Sequence, residues 1–278
     1  MRDSGFYKFG RIVGSKFKTA KWVWESAAGS EEEANRAEYA VGRNLAELVR
    51  NEVPAVTDGN DQLFLDGISD RMGAVVRNKL HRFEVATLAK GQPSAFALPG
   101  GKVAIFTGIL KHTKHEDGLA TVMAHEIAHA LQRHGAERMS RGILEQIAQV
   151  AAIGGAASGT VDPQLAMGAM SAYGVGISLP HNRRQESEAD YIGLQLMAKA
   201  GYNPQEAIGF WERMSGCPKQ MIGRFCFRSN AAVPEFLSTH PSDVTRIKQI
   251  EAWIKDAMQY YQPQKEDKSK ATKGFAKP

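Results

Sequence analysis

Apolar positions along most of this chain recur at the spacing of an amphipathic helix. Residues 31–52 open with three glutamates and then place apolar side chains on one side of a predicted helix. A second helical pattern covers residues 63–78, after an interruption at residues 54–61. A third covers residues 183–199, after which Gly201 and a proline end it. Helices are therefore predicted to dominate the fold.

Two short segments instead have the β-branched and aromatic composition of strands. They cover residues 81–89 and 102–108 and lie on either side of a Pro-Gly-Gly turn at 99–101. From Asp117 to about Tyr261 the pattern is helical again, and no internal repeat is present. The predicted class is α+β, predominantly helical, with one small β-sheet.

The chain divides into three predicted segments. Residues 1–52 form an N-terminal helical segment that packs on the body, and residues 53–261 form the main domain. Residues 262–278 are rich in lysine and lack an apolar pattern, so we expect a disordered tail.

Composition excludes several classes of protein. A hydrophobic fraction of 43% and a charged fraction of 23% are typical of soluble globular chains, not of collagens, disordered proteins or multi-span membrane proteins. The formal net charge of +5 comes without a basic stripe interleaved with aromatics, so we expect no nucleic-acid partner. Two cysteines cannot form a disulfide framework; Cys217 and Cys226 either pair or remain idle thiols.

The N-terminal residues give evidence on the cellular location of the protein and on its contact with membranes. Residues 6–24 interleave aromatic with basic side chains, which fits a terminal helix packed on the body or a helix lying on an anionic membrane surface. The first thirty residues lack a secretory signal, so a natural start at Met1 places the protein in the cytoplasm or at a membrane periphery. Residues 163–180 are poor in charge but rich in glycine and polar residues, and we predict no transmembrane span.

The candidate chemistry centres on a His-Glu-x-x-His motif. It lies in a predicted helix over residues 117–134, which Gly135 ends. Histidines four residues apart share one helix face, so His125 and His129 can bind one metal ion. Glu126 can approach a metal-bound water without being a ligand. This arrangement is the one that zinc-assisted hydrolysis requires.

A third ligand is available in the helix over residues 183–199. Glu186 is the candidate, and Asp190 lies one turn further along the same helix. From there Asp190 can accept the Nδ1 proton of a ligating histidine, which fixes its tautomer. Three more histidines lie near the motif, and we expect all of them at the surface: His112, His115 and His134. On a continuous helix His134 is rotated away from the ligand face.

The order of these motifs resembles a known family. The HExxH motif, then Glu-x-Glu-Ala-Asp at 186–190, then Thr-His-Pro at 239–241 with Arg246, is similar to the HtpX and CAAX prenyl protease group of zinc metallopeptidases. The motifs also look like those of the soluble branch of BepA-like bacterial proteases. The match covers roughly residues 81–250 and includes Phe-Ala-Leu-Pro-Gly-Gly at 96–101. One departure is Ser94, where many relatives carry Asn.

The resemblance implies a gluzincin fold, in which a small sheet lies beside the HExxH helix. It also implies one Zn²⁺ per chain, held by His125, His129 and Glu186, with Glu126 as the base. It further implies that the strand over residues 102–108 is an edge strand that pairs with substrate backbone.

The downstream residues His240 and Arg246 have three possible roles. Either can stabilise the negative charge that develops on the scissile carbonyl oxygen, worth roughly 3–4 kcal/mol per well-placed donor. Alternatively, as the resemblance suggests, His240 occupies the open zinc position and holds the enzyme latent. A third interpretation makes His240 a helix-entry residue, with Arg246 paired locally.

We interpret the chain as a zinc-dependent metalloendopeptidase that acts on unfolded or extended protein substrates, with protein quality control as its setting. The alternative is a non-catalytic, zinc-stabilised chaperone or binding module that uses the same groove. A membrane-bound prenyl protease is disfavoured because no spanning helix is predicted. The family points to the periplasm or cell envelope, whereas the missing signal points to the cytoplasm.

Overall fold

The computed structural model describes residues 30–56, 60–76, 83–137, 183–215, 240 and 244–263. Several predictions concern residues outside these ranges: segment 6–24, both cysteines, segment 163–180, Thr239, Pro241 and tail residues 264–278. Within the described ranges, no helix is long and apolar enough to cross a lipid bilayer.

Helices make up most of the described chain, and they surround one small sheet. The helices are α1 (Glu31–Glu52), α2 (Asn60–Val75), α3 (Leu110–Thr113), α4 (Glu116–Leu131), α5 (Arg183–Lys199), α6 (Glu206–Ser215) and α7 (Val244–Met258). The strands are β1 (Glu84–Leu88), β2 (Ala95–Leu98) and β3 (Lys102–Phe106), and a 3₁₀ turn (Thr107–Ile109) joins β3 to α3. This confirms the α+β, predominantly helical class, and α1 and α5 have the predicted bounds.

The sheet has the strand order β1-β3-β2. β1 runs parallel to β3, with Glu84 opposite Lys102, and β2 runs antiparallel to β3, with Ala95 opposite Ile105. The prediction that β3 is an edge strand is therefore wrong, because β3 has a partner on each side and all its residues are buried. Strand order depends on long-range pairing, which a local pattern does not encode.

Alternation along the strands gives the sheet two apolar faces. One face meets a core formed with α2, α4, α5, α6 and α7, to which the sheet contributes Ala95, Val103 and Ile105. The other face meets α1, to which the sheet contributes Leu88, Phe96, Leu98, Ala104 and Phe106. The described residues thus form three layers: α1, the sheet, and a helical layer.

α1 is well specified at its start and in its packing. Ser30 caps it with a capping box, because the Ser30 hydroxyl accepts from the Glu33 amide while the Glu33 carboxylate accepts from the Ser30 amide. Gly42 faces the β2–β3 turn, and a Cβ atom there would lie 1.8 Å from the Pro99 carbonyl oxygen. The missing side chain lets α1 lie directly on the turn.

α5 crosses α4 closely at Gly193. A Cβ atom at Gly193 would lie 3.3 Å from the Ala124 backbone, which is tighter than ordinary van der Waals contact. Ala124 precedes His125 in the HExxH motif. This close crossing brings Glu186 and Asp190 on α5 within reach of the motif histidines.

Candidate metal centre

α4 carries the HExxH motif through the centre of the helical layer. It starts at His115, whose Nδ1 accepts from the Gly118 amide, and acidic Glu116 and Asp117 occupy its first turn. β2, α5 and α6 all pack against it. His125, Glu126 and His129 are consequently all buried, each no more than 3% exposed.

Four side chains converge on one point in this layer. The Nε2 atoms of His125 and His129 lie 3.1 Å apart. Glu186 Oε1 lies 3.3 Å from His129 Nε2, and Glu186 Oε2 lies 3.5 Å from His125 Nε2. His240 Nδ1 lies 3.2 Å from His125 Nε2 and 3.1 Å from Glu186 Oε1. One donor atom from each residue lies within 4.8 Å of the others.

This donor set fits a borderline-soft divalent cation. Imidazole nitrogens and a carboxylate oxygen are the ligands that zinc takes in catalytic sites. The other ring nitrogen of His125, Nδ1, lies 3.0 Å from Asp190 Oδ1, which leaves Nε2 directed at the common point. The side chains of His125, His129 and Glu186 could therefore hold a metal ion, with His240 as a fourth contact.

Arg246 is engaged by the carboxylates of this site. Its Nε and Nη2 donate to the two carboxylate oxygens of Asp190 at 2.6 and 2.8 Å, and Nη1 lies 2.7 Å from Glu186 Oε2. The guanidinium carbon lies 3.6 Å from the ring centre of Trp211, which also meets the His125 ring edge-on. Arg246 thus balances two buried negative charges that the histidines also contact.

The buried charges shift the ionisation of the site residues. Burial alone would lower the pKa of His125, but the hydrogen bonds that it donates to the carboxylates of Asp190 and Glu186 outweigh burial and raise the pKa to about 9. Burial keeps the pKa of His129 well below its ordinary value. Burial opposes ionisation of Glu186, yet the nearby His240 and Arg246 hold its pKa well below the ordinary value. The carboxylates therefore favour a positive charge, whether a proton or a cation, between the histidines.

Glu126 lies beside this point without joining it. His240 Nε2 is 3.3 Å from Glu126 Oε1, without the alignment of a hydrogen bond. Within the described ranges, both carboxylate oxygens of Glu126 are buried and have no hydrogen-bond partner. Burying a carboxylate without hydrogen bonds is costly, which is unusual for a residue with only a structural role.

Every residue predicted for the site lies in this cluster, but two features were not predicted. His134 is not at the surface: it is 2% exposed, and its Nδ1 lies 2.8 Å from His129 Nδ1. α4 ends at Leu131, before the predicted end, and the chain then turns back. Trp211 on α6 was missed because nothing in its local sequence marks it as a neighbour of the motif.

The edge strand beside the motif is β2. A small cavity of about 10 Å³ is lined by Ala97 and Leu98 of β2 and by His129 and Ala130 of α4. No other strand in the described part of the chain pairs with the far side of β2. β2, and not β3, is therefore the edge strand that lies beside the motif.

Comparison with known proteins identifies the family. The sequence profile of peptidase family M48 matches residues 64–254, which include every site residue named above. The chain belongs to peptidase family M48. The resemblance found in the motifs is confirmed, and α1 lies before the part that matches the M48 profile.

Curated relatives divide into two groups. The chain is 42% identical to mitochondrial metalloendopeptidase OMA1 of Saccharomyces cerevisiae over 170 residues, or 61% of this chain and 46% of that protein. For OMA1 of Schizosaccharomyces pombe the identity is 38% over 195 residues, or 70% and 53%. The beta-barrel assembly-enhancing protease of Escherichia coli K12 is 26% identical over 214 residues, or 76% and 42%. The chain thus spans about half the length of these relatives.

Proposed function

We propose that this M48 chain is a zinc-dependent endopeptidase that hydrolyses peptide bonds in extended segments of protein. The observation that carries the proposal is the convergence of His125, His129 and Glu186 beside the Glu126 carboxylate, whose buried oxygens make no hydrogen bond within the described ranges. Two neutral imidazoles, one carboxylate and an adjacent base form the donor and base set of a hydrolytic zinc site. The M48 relatives named as metalloendopeptidases support the same activity.

In this mechanism the protein side chains hold and move protons around the cleaved bond. Bound zinc supplies a Lewis acid that acidifies a water molecule and polarises the scissile carbonyl. Glu126 accepts the proton of the attacking water and then passes it to the leaving amine. Asp190 keeps His125 in the tautomer that presents Nε2, and Arg246 holds the carboxylates of Asp190 and Glu186 in place. We assign Arg246 this supporting role in preference to oxyanion stabilisation because its guanidinium lies on the Trp211 ring and its donors already contact Asp190 and Glu186.

The substrate is proposed to bind as an added strand along β2. β2 lies beside His129 and has no second strand partner in the described ranges, so its outer backbone groups suit pairing with an extended peptide. Folded proteins hide such segments within their own hydrogen-bonded structure. Unfolded or extended chains are therefore the proposed substrates, and a quality-control role stays a prediction.

His240 is proposed to hold the site in a latent form. Its Nδ1 lies at the common point of the ligands, and its Nε2 faces Glu126. In that position it competes for the place that water and the substrate carbonyl need. We expect His240→Ala to raise peptidase activity severalfold while zinc stays bound, measured on a fluorogenic peptide. A rate equal to or below that of the unaltered chain would contradict latency.

The proposed activity is tested with Glu126→Gln, which keeps the shape of the side chain but removes the base. We expect casein digestion to fall by about 10²–10⁴-fold, the usual contribution of a general base, with zinc content unchanged. Glu52→Gln, at an exposed position on α1, is the matched control and should digest casein normally. A chelator should abolish digestion by the unaltered chain, and added zinc should restore it.

The same assay separates the alternative function. Casein binding without cleavage, insensitive to Glu126→Gln, would indicate a binding or chaperone module. Cleavage that persists in Glu126→Gln would remove Glu126 from the mechanism.

A further inference from the structure

The two histidines of the HExxH motif have different partners on the side away from the common point. His125 Nδ1 faces the Asp190 carboxylate at 3.0 Å. His129 Nδ1 faces a third imidazole, that of His134, at 2.8 Å. Both contacts are buried, and each residue in them is no more than 5% exposed. His134 is neither one of the four side chains that converge on the common point nor the candidate base Glu126.

His134 reaches His129 because α4 ends at Leu131, before it would carry His134 round the helix. Five further residues of helix would place His134 about 140° around the axis from His129. Instead, Arg133 adopts a left-handed conformation with φ 56°, as residues just beyond a helix C-terminus often do. This conformation costs a residue other than glycine roughly 1 kcal/mol or more. The break in the helix at Arg133 places His134 against His129.

An ion pair from α1 holds this turn. Arg133 Nε donates to Glu38 Oε1 at 2.6 Å, and Glu38 is buried. α1 lies outside the part of the chain that matches the M48 profile. The strained residue is thus fixed by a helix on the opposite layer of the molecule.

Hydrogen-bond direction follows from where His129 points. Its Nε2 faces Glu186 and His125, and a nitrogen that binds a metal carries no proton. The proton of His129 then lies on Nδ1 and is donated to His134 Nδ1. His134 keeps its own proton on Nε2, which lies 3.6 Å from Glu188 Oε2, so the carboxylate favours this tautomer electrostatically.

We infer that His134 is a positioning residue: by accepting the Nδ1 proton of His129, it fixes the tautomer and ring orientation with which His129 binds zinc. This inference rests on the proposed zinc site. Partners of metal-bound histidines orient the ring and raise its basicity, and their loss costs 10–100-fold in metal affinity. His134 therefore does for His129 what Asp190 does for His125.

The test compares His134→Met with His134→Gln. The two side chains have similar length, but only glutamine has an oxygen that can accept from His129 Nδ1. Zinc affinity is measured by competition with a chelator, and the absorption bands of the cobalt-substituted protein report ligand geometry. We expect His134→Met to bind zinc about 10–100-fold more weakly with shifted cobalt bands, and His134→Gln to remain close to the unaltered chain. His112→Met, at a histidine outside the site, is the control and should change neither.

Equal zinc affinity and cobalt spectra for His134→Met and the unaltered chain would overturn the inference. So would a His134→Gln variant as weak as His134→Met, because packing and not hydrogen bonding would then explain the loss. Circular dichroism of the metal-free variants checks folding, and His134→Leu replaces His134→Met if the latter does not fold. An unaltered chain that binds no zinc would overturn the proposed function as well, whereas the first two results overturn only the role of His134.

Discussion

The two faces of the sheet are stabilised in different ways. On the α1 face, apolar side chains such as Leu45 and Phe106 meet in a core with few buried charges. On the other face, the apolar core surrounds a group of buried ionised side chains that includes Glu186, Asp190 and Arg246. Apolar burial stabilises a fold directly, whereas buried ions contribute only if each is balanced by a partner. The stability of the face towards α4 and α5, here called the metal face, should therefore depend on charge balance, and that of the α1 face on apolar packing.

The largest expected effect comes from unbalancing the metal face. Arg246→Met leaves Asp190 and Glu186 without their cation, so we expect the free energy of unfolding to fall by about 3–5 kcal/mol in zinc-free protein. Urea denaturation measures it with and without zinc, and the loss should be smaller with zinc because the bound cation offsets the carboxylates.

The control for Arg246→Met is Arg36→Met, which removes an exposed ion pair with Glu32 and should change stability by less than about 0.5 kcal/mol. A loss no larger than that of the control would show that the buried charges do not depend on Arg246.

An intermediate effect is expected on the α1 face, at Gly42. Gly42→Ala forces α1 away from the Pro99 carbonyl, and we expect the free energy of unfolding to fall by about 1–3 kcal/mol. Because Glu38 on the same helix holds Arg133, zinc affinity should also fall, but by less than in His134→Met. Gly67→Ala on α2 is the matched control, because nothing lies within 4 Å of its new Cβ and the change should stabilise the helix by about 0.5–1 kcal/mol. If Gly42→Ala lowers the free energy of zinc binding as much as it lowers the free energy of unfolding, the two faces of the sheet are not independent.

The smallest effect concerns Lys102, a buried lysine on the α1 face. Burial lowers its pKa, and its ammonium lies 3.4 Å from Glu84 and 3.6 Å from the Tyr39 ring centre. Between this lowered pKa and the ordinary value of the unfolded chain, the unfolded chain binds more protons. The contribution of Lys102 to stability therefore rises as pH increases through that window.

Lys102→Met should remove this rise while changing stability little at neutral pH. Urea denaturation at several alkaline pH values, relative to the unaltered chain, measures the difference. A Lys102→Met curve parallel to that of the unaltered chain would show that Lys102 keeps an ordinary pKa in the fold.

Local patterns predicted the helices and singled out candidate ligands that the fold brings together, because helices are periodic and the motif residues are close in sequence. α5 has its predicted bounds, and His125 and His129 share a face because four residues make about one turn. The place of β3 and the neighbourhood of Trp211 depend on contacts between distant segments, which periodicity does not contain. The prediction that His134 lies at the surface was wrong because α4 ends at Leu131 and Arg133 then adopts a left-handed conformation. Such a turn usually has a glycine at this position, so the sequence does not mark it.

The most direct test of the central claim is a crystal grown with zinc and measured at the zinc absorption edge. We predict a single anomalous peak per chain at the candidate centre, about 2.0–2.2 Å from the Nε2 atoms of His125 and His129 and from a carboxylate oxygen of Glu186. A peak elsewhere, or no peak in crystals of protein that cleaves casein, would contradict the zinc site.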